Sequence, residues 1–123
     1  LDMVVRGPED RSLRKSGDSY AVLGPWLVTA DEVADPQALD FFLNVNGEAR
    51  QASNTGRMIM SIAEQIAYAS RFYTLHPGDI VMTGTCEGVG PVVPGDTITC
   101  GITGIADMTV AIHPAYADKR VLK

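Results

Sequence analysis

The sequence predicts a β-rich α+β fold with one main amphipathic helix. Three observations support this. Apolar and polar residues alternate over residues 39–46, apolar residues recur at helical spacing over residues 58–72, and two Pro-Gly-Asp turns, at 77–79 and 94–96, each precede a short apolar stretch. Several short strands combined with one well-patterned helix are typical of α+β domains.

Composition narrows the class of protein. The chain has 123 residues, the size of one ordinary domain, and its 46% hydrophobic and 20% charged residues indicate a folded rather than a disordered chain. The formal net charge of -5, with no Lys/Arg-rich face, argues against nucleic-acid binding. No apolar run approaches the roughly 18–20 residues of a membrane span. No repeat or linker interrupts the sequence, so residues 1–123 are expected to form one unit.

The first half of the chain is predicted to contain a β-hairpin. Residues 1–18 have the pattern of a strand end followed by an irregular charged loop, and Trp26 is expected to be a packed apolar residue. The alternation over residues 39–46 predicts a strand with one buried face. Asn46-Gly47 is a strong hairpin signal, and it predicts a return strand over residues 48–51.

The second half is predicted to contain the helix and three further strands. Asn54 and Thr55 are candidate N-caps for a helix over residues 58–72, which is expected to pack on the sheet with its methionines in the core. The remaining expectations are strands at 80–83 and 97–102, a last strand that alternates Met108, Val110 and Ile112, and a polar tail over 113–123.

The segment 75–90 carries the strongest functional signal. Its sequence, LHPGDIVMTGTCEGVG, places the hydroxyls of Thr83 and Thr85 beside Gly84 and two further glycines. Glycines let backbone N–H groups approach a ligand, and hydroxyls donate hydrogen bonds to carboxylates or carbonyls. The segment therefore predicts a binding site for a small anion at a strand end. A phosphate-binding loop is disfavoured because neither a Lys nor a helix follows the last glycine.

This segment closely resembles the TGTP-x-GVG motif that follows a TL-x-PGD turn in the fumarylacetoacetate hydrolase (FAH) superfamily, with Cys86 in place of the usual Pro. A second part of the resemblance lies in residues 1–16, where Asp2, Arg6 and Lys15-Ser16 match the family's pattern. The resemblance implies that residues 1–123 are the C-terminal portion of a single FAH-like catalytic domain. It also implies the family's fold, a mixed β-roll.

The resemblance assigns roles to individual residues. Asp2 is implied to bind a divalent cation, Mg²⁺ or else Mn²⁺ or Ca²⁺, together with two Glu of a Glu-x-Glu segment that this chain lacks. Lys15 and Arg6 are implied to be catalytic. Thr85 and Gly84, with Thr83 beside them, are implied to bind the substrate.

Considered without the family, these side chains have ordinary structural explanations. Asp2 fits a cap or turn residue, Arg6 and Lys15 fit surface charges, and the Thr83 hydroxyl fits a group satisfied within its own strand. Neither His76 nor His113 matches the family's general base.

The implied function is that of a divalent-metal-dependent hydrolase, which cleaves a C–C bond in a 2-oxo or 1,3-dicarbonyl acid of the fumarylacetoacetate or acylpyruvate type during aromatic-compound catabolism. One alternative is a decarboxylase or isomerase of an oxo-diacid, of the 2-hydroxyhepta-2,4-diene-1,7-dioate type. Glu9 favours this alternative because relatives often place a Gln there, and an anion cannot donate a hydrogen bond to an oxyanion. A second alternative is a non-catalytic anion-binding domain.

The expected partners are a small oxo-acid substrate and a second copy of the chain, because members of the family are commonly homodimers. Cys86 and Cys100 have no Cys-x-x-Cys spacing and no secretory signal accompanies them, so they indicate free thiols in a reducing cytoplasm.

Overall fold

The computed structural model describes residues 1–114 and places a four-stranded antiparallel sheet at the centre of the fold. The order across the sheet is β2-β1-β3-β4, so β1 and β3 are the inner strands. The strands are β1 (Asp40–Val45), β2 (Glu48–Asn54), β3 (Thr97–Ile102) and β4 (Ala106–Ala111). This arrangement confirms the β-rich α+β class predicted from the sequence.

The predicted hairpin is present between β1 and β2. Asn46 and Gly47 form its turn with φ angles of 52° and 82°, the left-handed values that a two-residue type I′ turn requires. The register shifts between Leu43 and Asn44, which marks a bulge. Pairing then continues to Asn54, so the return strand extends three residues beyond the predicted end at residue 51.

The most buried apolar side chains are on the two inner strands. Val45 of β1 and Ile98 of β3 are cross-strand partners, and only 7% and 2% of their surfaces are exposed. The strand predicted over residues 97–102 is confirmed, and the last strand ends at Ala111, so Ile112 lies just beyond it. Residues 115–123 of the predicted polar tail lie outside the described residues.

The main helix, α2 (Ile62–Ala69), is shorter than predicted at both ends, and its start is set by an N-cap that lies further along the chain. Ser61 and Glu64 form a reciprocal capping box, in which the Ser61 hydroxyl accepts from the Glu64 N–H. Asn54 caps an earlier 3₁₀ turn over residues 55–57, through a bond from the Gly56 N–H to its side chain. The prediction that Asn54 and Thr55 cap the main helix is therefore wrong.

The helix does not pack on the sheet as predicted. Extensive contacts between elements of the described region join only neighbouring strands, and α2 contains no buried residue. Ile66 and Tyr68 leave 47% and 54% of their surfaces exposed. Trp26, predicted to be packed, is 64% exposed.

Two local predictions at the candidate site also need correction. A short helix, α1 (Arg11–Lys15), occupies part of the segment predicted to be an irregular loop, and the Asp10 side chain caps it by accepting from the Ser12 N–H at 2.8 Å. The predicted strand over residues 80–83 has no β-pairing, and Ile80 is 57% exposed.

Within residues 1–114, no helix has both the length and the apolar character needed to cross a membrane.

Candidate active site

The first candidate cluster joins an acid and a base that are 13 residues apart in the sequence. Lys15, the last residue of α1, donates from its Nζ to the Oδ2 of Asp2. Their side chains are 40% and 33% exposed, so solvent screens this ion pair. The contact places an ammonium group beside the carboxylate that the resemblance assigns to metal binding.

Backbone hydrogen bonds hold these two side chains together. Asp2 forms an isolated antiparallel bridge with Ala21, and the Val5 N–H donates to the carbonyl of Arg14 at 3.1 Å. The Arg14 guanidinium in turn donates through Nε to the Glu9 carbonyl at 3.0 Å. Arg6 lies on the connecting segment and its side chain is exposed.

The second candidate cluster is the glycine loop, residues 84–90, which is bound to strand β2. The side-chain nitrogen of Gln51, Nε2, donates to the Thr85 hydroxyl at 2.7 Å, to the Cys86 carbonyl at 3.1 Å and to the Glu87 carbonyl at 3.3 Å. A single amide therefore fixes three consecutive residues of the loop, including the residue predicted to bind substrate.

Gly88 explains how the loop approaches β2 so closely. A Cβ atom at Gly88 would lie 1.8 Å from the Arg50 carbonyl oxygen, and the residue has φ +96°, which disfavours any L side chain. Gly84 also has positive φ, +93°, but nothing lies within 4 Å of its Cβ position. The loop therefore requires a glycine for close packing at 88, whereas at 84 the requirement is conformational.

Thr83 lies in different surroundings from Thr85. It lines a cavity of about 330 Å³ between α2 and the segment 75–83. Ile62, Ile66 and Val81 contribute to a mostly apolar lining. The two hydroxyls predicted to act together therefore lie on separate surfaces.

The structure brings together some of the predicted site residues and leaves others apart. Asp2 and Lys15 form one group, and Gly84 and Thr85 form another with Gln51. No hydrogen bond or ion pair within residues 1–114 joins the two groups. Sequence reasoning missed Gln51, because its role depends on contacts with residues 34 to 36 positions away.

The described residues do not form a divalent-metal site by themselves. No three His, Cys, Asp or Glu side chains in the described part of the chain cluster as metal ligands. Asp2 offers the oxygen atoms that Mg²⁺, Mn²⁺ and Ca²⁺ prefer, but its carboxylate is paired with Lys15. One carboxylate is fewer than such a cation requires, so the ligand set is incomplete in this chain.

The thiols of the described region are free, and both cysteines are partly buried. Cys86 and Cys100 form no disulfide. Burial raises the pKa of the Cys100 thiol above its usual value of 9.0; the N-terminal amino group lowers it and Asp107 raises it, both more weakly. Cys100 is therefore protonated and poorly nucleophilic at neutral pH.

Comparison with known proteins identifies the class. Residues 2–113 match the family described as Fumarylacetoacetate (FAA) hydrolase C-terminal. The chain therefore belongs to the fumarylacetoacetate hydrolase family, as the motifs at residues 1–16 and 75–90 predicted.

Individual relatives refine this assignment. Over 113 residues the chain is 57% identical to maleylpyruvate hydrolase of Aquipseudomonas alcaligenes, a match that covers 92% of this chain and 39% of the relative. The crystal structure of maleylpyruvate hydrolase from Sphingobium sp. SYK-6 in complex with manganese(II) and pyruvate is 49% identical, with a TM-score of 0.87 over 91% of this chain and 41% of that one.

The chain is also similar to a protein named as an isomerase and not as a hydrolase. The crystal structure of 2-hydroxyhepta-2,4-diene-1,7-dioate isomerase from Mycobacterium marinum is 37% identical, with a TM-score of 0.76 over 81% of this chain and 38% of that one. The chain thus spans about two fifths of the length of each of these three relatives.

Proposed function

We propose that the protein is a divalent-metal-dependent hydrolase that cleaves a C–C bond in a 2-oxo acid of the acylpyruvate type, as part of aromatic-compound catabolism. The observation that carries the proposal is the TM-score of 0.87 to a maleylpyruvate hydrolase crystallised with manganese(II) and pyruvate. The 57% identity to a second maleylpyruvate hydrolase supports the same reaction. Pyruvate is the product that all acylpyruvate hydrolyses share, so a pyruvate site is what this reaction requires.

In this proposal residues 1–123 are the C-terminal portion of one catalytic domain, and Asp2 is one ligand of its cation. The cation is Mg²⁺, or Mn²⁺ or Ca²⁺, since all three are hard ions that carboxylates bind. The remaining carboxylates come from outside the described residues. The Asp2–Lys15 contact supports a shared site, because it sets the Lys15 ammonium beside the carboxylate proposed to bind the cation.

Lys15 and Arg6 are the proposed catalytic residues. The Lys15 ammonium would stabilise negative charge on a substrate oxygen as the C–C bond breaks, and the Arg6 guanidinium would hold a substrate oxygen or carboxylate. Both residues lie on the segment that carries Asp2, and Arg6 is exposed and accessible to a ligand.

Thr85 and Gly84 are the proposed carboxylate-binding residues, with Thr83 as a further substrate contact. Thr85 is exposed and its hydroxyl is held by Gln51, so it is available to a ligand in a fixed position. Thr83 opens on the largely apolar cavity beside α2, which suits the non-carboxylate part of a substrate.

Two further features belong to the proposal. A homodimer would cover part of the exposed apolar surface, which includes Leu27 at 86% and Ile59 at 104% exposure. A cytoplasmic location fits the free thiols of Cys86 and Cys100.

Decarboxylation or isomerisation of an oxo-diacid is the second candidate function. It is supported by the 2-hydroxyhepta-2,4-diene-1,7-dioate isomerase among the similar structures and by Glu9, an anion where relatives often place Gln. A non-catalytic anion-binding domain is the third, and the joint presence of Asp2, Lys15 and Thr85 argues against it.

The test is an assay of the protein that contains this chain within its complete domain, with Mg²⁺, Mn²⁺, Ca²⁺ or EDTA. We expect pyruvate release from an acylpyruvate, loss of release with EDTA, and strong impairment by Asp2→Asn but not by the charge-matched Asp18→Asn. Decarboxylation or isomerisation of an oxo-diacid without acylpyruvate cleavage would support the second candidate. If no cation supported turnover, a non-catalytic anion-binding domain would be the remaining candidate function.

A further inference from the structure

We infer that Gln51 is a positioning residue, which orients the Thr85 hydroxyl so that its proton points toward the substrate carboxylate. The inference rests on the proposed function and adds to it a residue on strand β2. Its basis is the position of the Gln51 side-chain nitrogen, which lies 2.7 Å from the Thr85 hydroxyl oxygen. The same nitrogen lies 3.1 Å and 3.3 Å from the carbonyl oxygens of Cys86 and Glu87.

These neighbours fix which end of the Gln51 amide faces the loop. The carbonyl oxygens of Cys86 and Glu87 only accept hydrogen bonds, so the amide must present its nitrogen to them. The bond to Thr85 therefore runs from the Gln51 N–H to the hydroxyl oxygen.

This direction determines what Thr85 offers to a ligand. A threonine hydroxyl has one proton and two lone pairs, and Gln51 occupies one lone pair. The proton is repelled from the amide hydrogens and remains available on the side of Thr85 away from Gln51. Because Thr85 is exposed, that proton can be donated to an anionic acceptor such as a carboxylate.

The loop backbone keeps this arrangement in place. Gly88 packs on the carbonyl of Arg50, the residue before Gln51, with no room for a Cβ atom. Arg50 and Gln51, which are neighbours in β2, thus hold the loop at two points: Gln51 at the Thr85 side chain and Arg50 at the Gly88 backbone. The loop has no β-pairing of its own, so these contacts set its distance from the sheet.

The test is a double-mutant cycle in the protein with its complete domain. Gln51→Met keeps the side-chain length and removes the donor, and Thr85→Val removes the hydroxyl. We expect Gln51→Met to raise KM for the acylpyruvate and the dissociation constant of pyruvate about tenfold, with kcat changed less than KM. In the Thr85→Val background, Gln51→Met should add less than a factor of two, since its effect passes through Thr85.

Controls separate positioning from folding. Gln37→Met removes an amide that bonds the backbone of Thr55 and Ile62, away from the glycine loop, and should leave KM unchanged. Thermal unfolding reports whether each variant is folded. Gln51→Glu gives a second readout. At neutral pH its carboxylate accepts a hydrogen bond from the Thr85 hydroxyl, whereas the protonated carboxyl donates one to it. The KM of this variant relative to wild type should therefore fall as pH approaches the ordinary glutamate pKa of about 4.3.

The outcomes distinguish the inference from the proposed function. The inference would be overturned if the effects of Gln51→Met and Thr85→Val on KM simply multiplied in the double mutant. It would also be overturned if the KM of Gln51→Glu relative to wild type did not change with pH. In either case, cleavage of an acylpyruvate by the wild-type protein would still uphold the proposed function. Wild-type protein that neither cleaves an acylpyruvate nor binds pyruvate would overturn both.

Discussion

Lys15 is the residue at which a structural and a catalytic contribution are most easily separated. Its ion pair with Asp2 joins side chains that are 40% and 33% exposed, and such pairs contribute little to stability. A positive charge beside a developing oxyanion, in contrast, contributes strongly to the rate. Substitution of Lys15 should therefore have a small effect on stability and a large effect on kcat.

We expect Lys15→Met to lower kcat by about 100-fold or more and to change the free energy of unfolding by less than about 1 kcal/mol. Arg11→Met removes a cation from the same short helix and serves as the control. Steady-state kinetics and urea unfolding of both variants measure the two effects. Equal losses of kcat in the two variants would contradict a specific role for Lys15.

Gly88 gives a second prediction for a single residue. Its φ of +96° and the 1.8 Å approach of a Cβ atom to the Arg50 carbonyl predict that Gly88→Ala destabilises the protein by about 2 kcal/mol or more and weakens pyruvate binding. At Gly90 the nearest atom to a Cβ is the Arg50 Nη1 at 3.5 Å, so Gly90→Ala should be tolerated. Thermal unfolding with pyruvate titration checks both, and similar melting temperatures for the two variants would refute the proposed packing.

These residues also mark the limit of what the sequence reveals. The motifs identified Asp2, Lys15 and Thr85 as candidates because residue types at fixed spacing carry that information. Gln51 was missed because no local pattern distinguishes it from other polar residues of a strand. Its role depends on the approach of a loop 34 residues away.

At the scale of elements, local signals predicted the four strands of the sheet well, but they misplaced the helix boundaries and predicted one strand that is absent. The Asn46-Gly47 turn and the alternation before it determine β1 and β2, because a type I′ turn and a half-buried face leave little freedom. The helix was predicted to begin at residue 58, but the Ser61–Glu64 capping box sets its start at Ile62. The strand predicted at 80–83 is absent because apolar residues form a strand only where a neighbour supplies hydrogen bonds.

A hydrogen-bonded link between two turns gives an element-scale prediction. Asp96 accepts from the Val93 N–H and from the Asn46 side chain, each at 2.8 Å, and the Asn46 side chain accepts from the Thr97 N–H at 2.9 Å. The Val93 backbone bond, followed by the Asn46 side chain, lowers the pKa of Asp96 below its usual 3.8. The link therefore ties the β1–β2 turn to the start of β3.

A lowered folded-state pKa means that the stabilisation is complete above pH 3.8 and is lost as pH falls through the folded-state value. We expect Asp96→Asn to be less stable than wild type at pH 7, with the difference shrinking below pH 3.8. Urea unfolding across this range measures it, and Asp18→Asn controls for the loss of one negative charge. A difference that stays constant to the lowest pH would show that the Asp96 carboxylate does not contribute through these bonds.

At the scale of the whole molecule, the chain buries little of its apolar surface. Its accessible surface is 9711 Å², whereas the scaling for folded monomers gives roughly 6,400 Å² at this mass. Val45 and Ile98 are the buried apolar residues of the described region, and large side chains such as Leu27, Ile59 and Phe72 are exposed. Exposed apolar surface of this extent is typical of sites where other protein binds.

We therefore expect the 123-residue chain by itself to unfold with low cooperativity, to bind a hydrophobic dye and to self-associate. In a protein where further chain or a second copy covers Leu27, Ile59 and Phe72, the dye binding should disappear and the urea m-value per residue should rise, because more surface is buried in the native state. Light scattering, dye fluorescence and urea unfolding of both forms measure these properties. A monomeric 123-residue chain with cooperative unfolding and no dye binding would mean that the sheet around Val45 and Ile98 is a sufficient core. In that case the exposed apolar side chains need no partner for folding, and the proposal of a homodimer would lose its physical support.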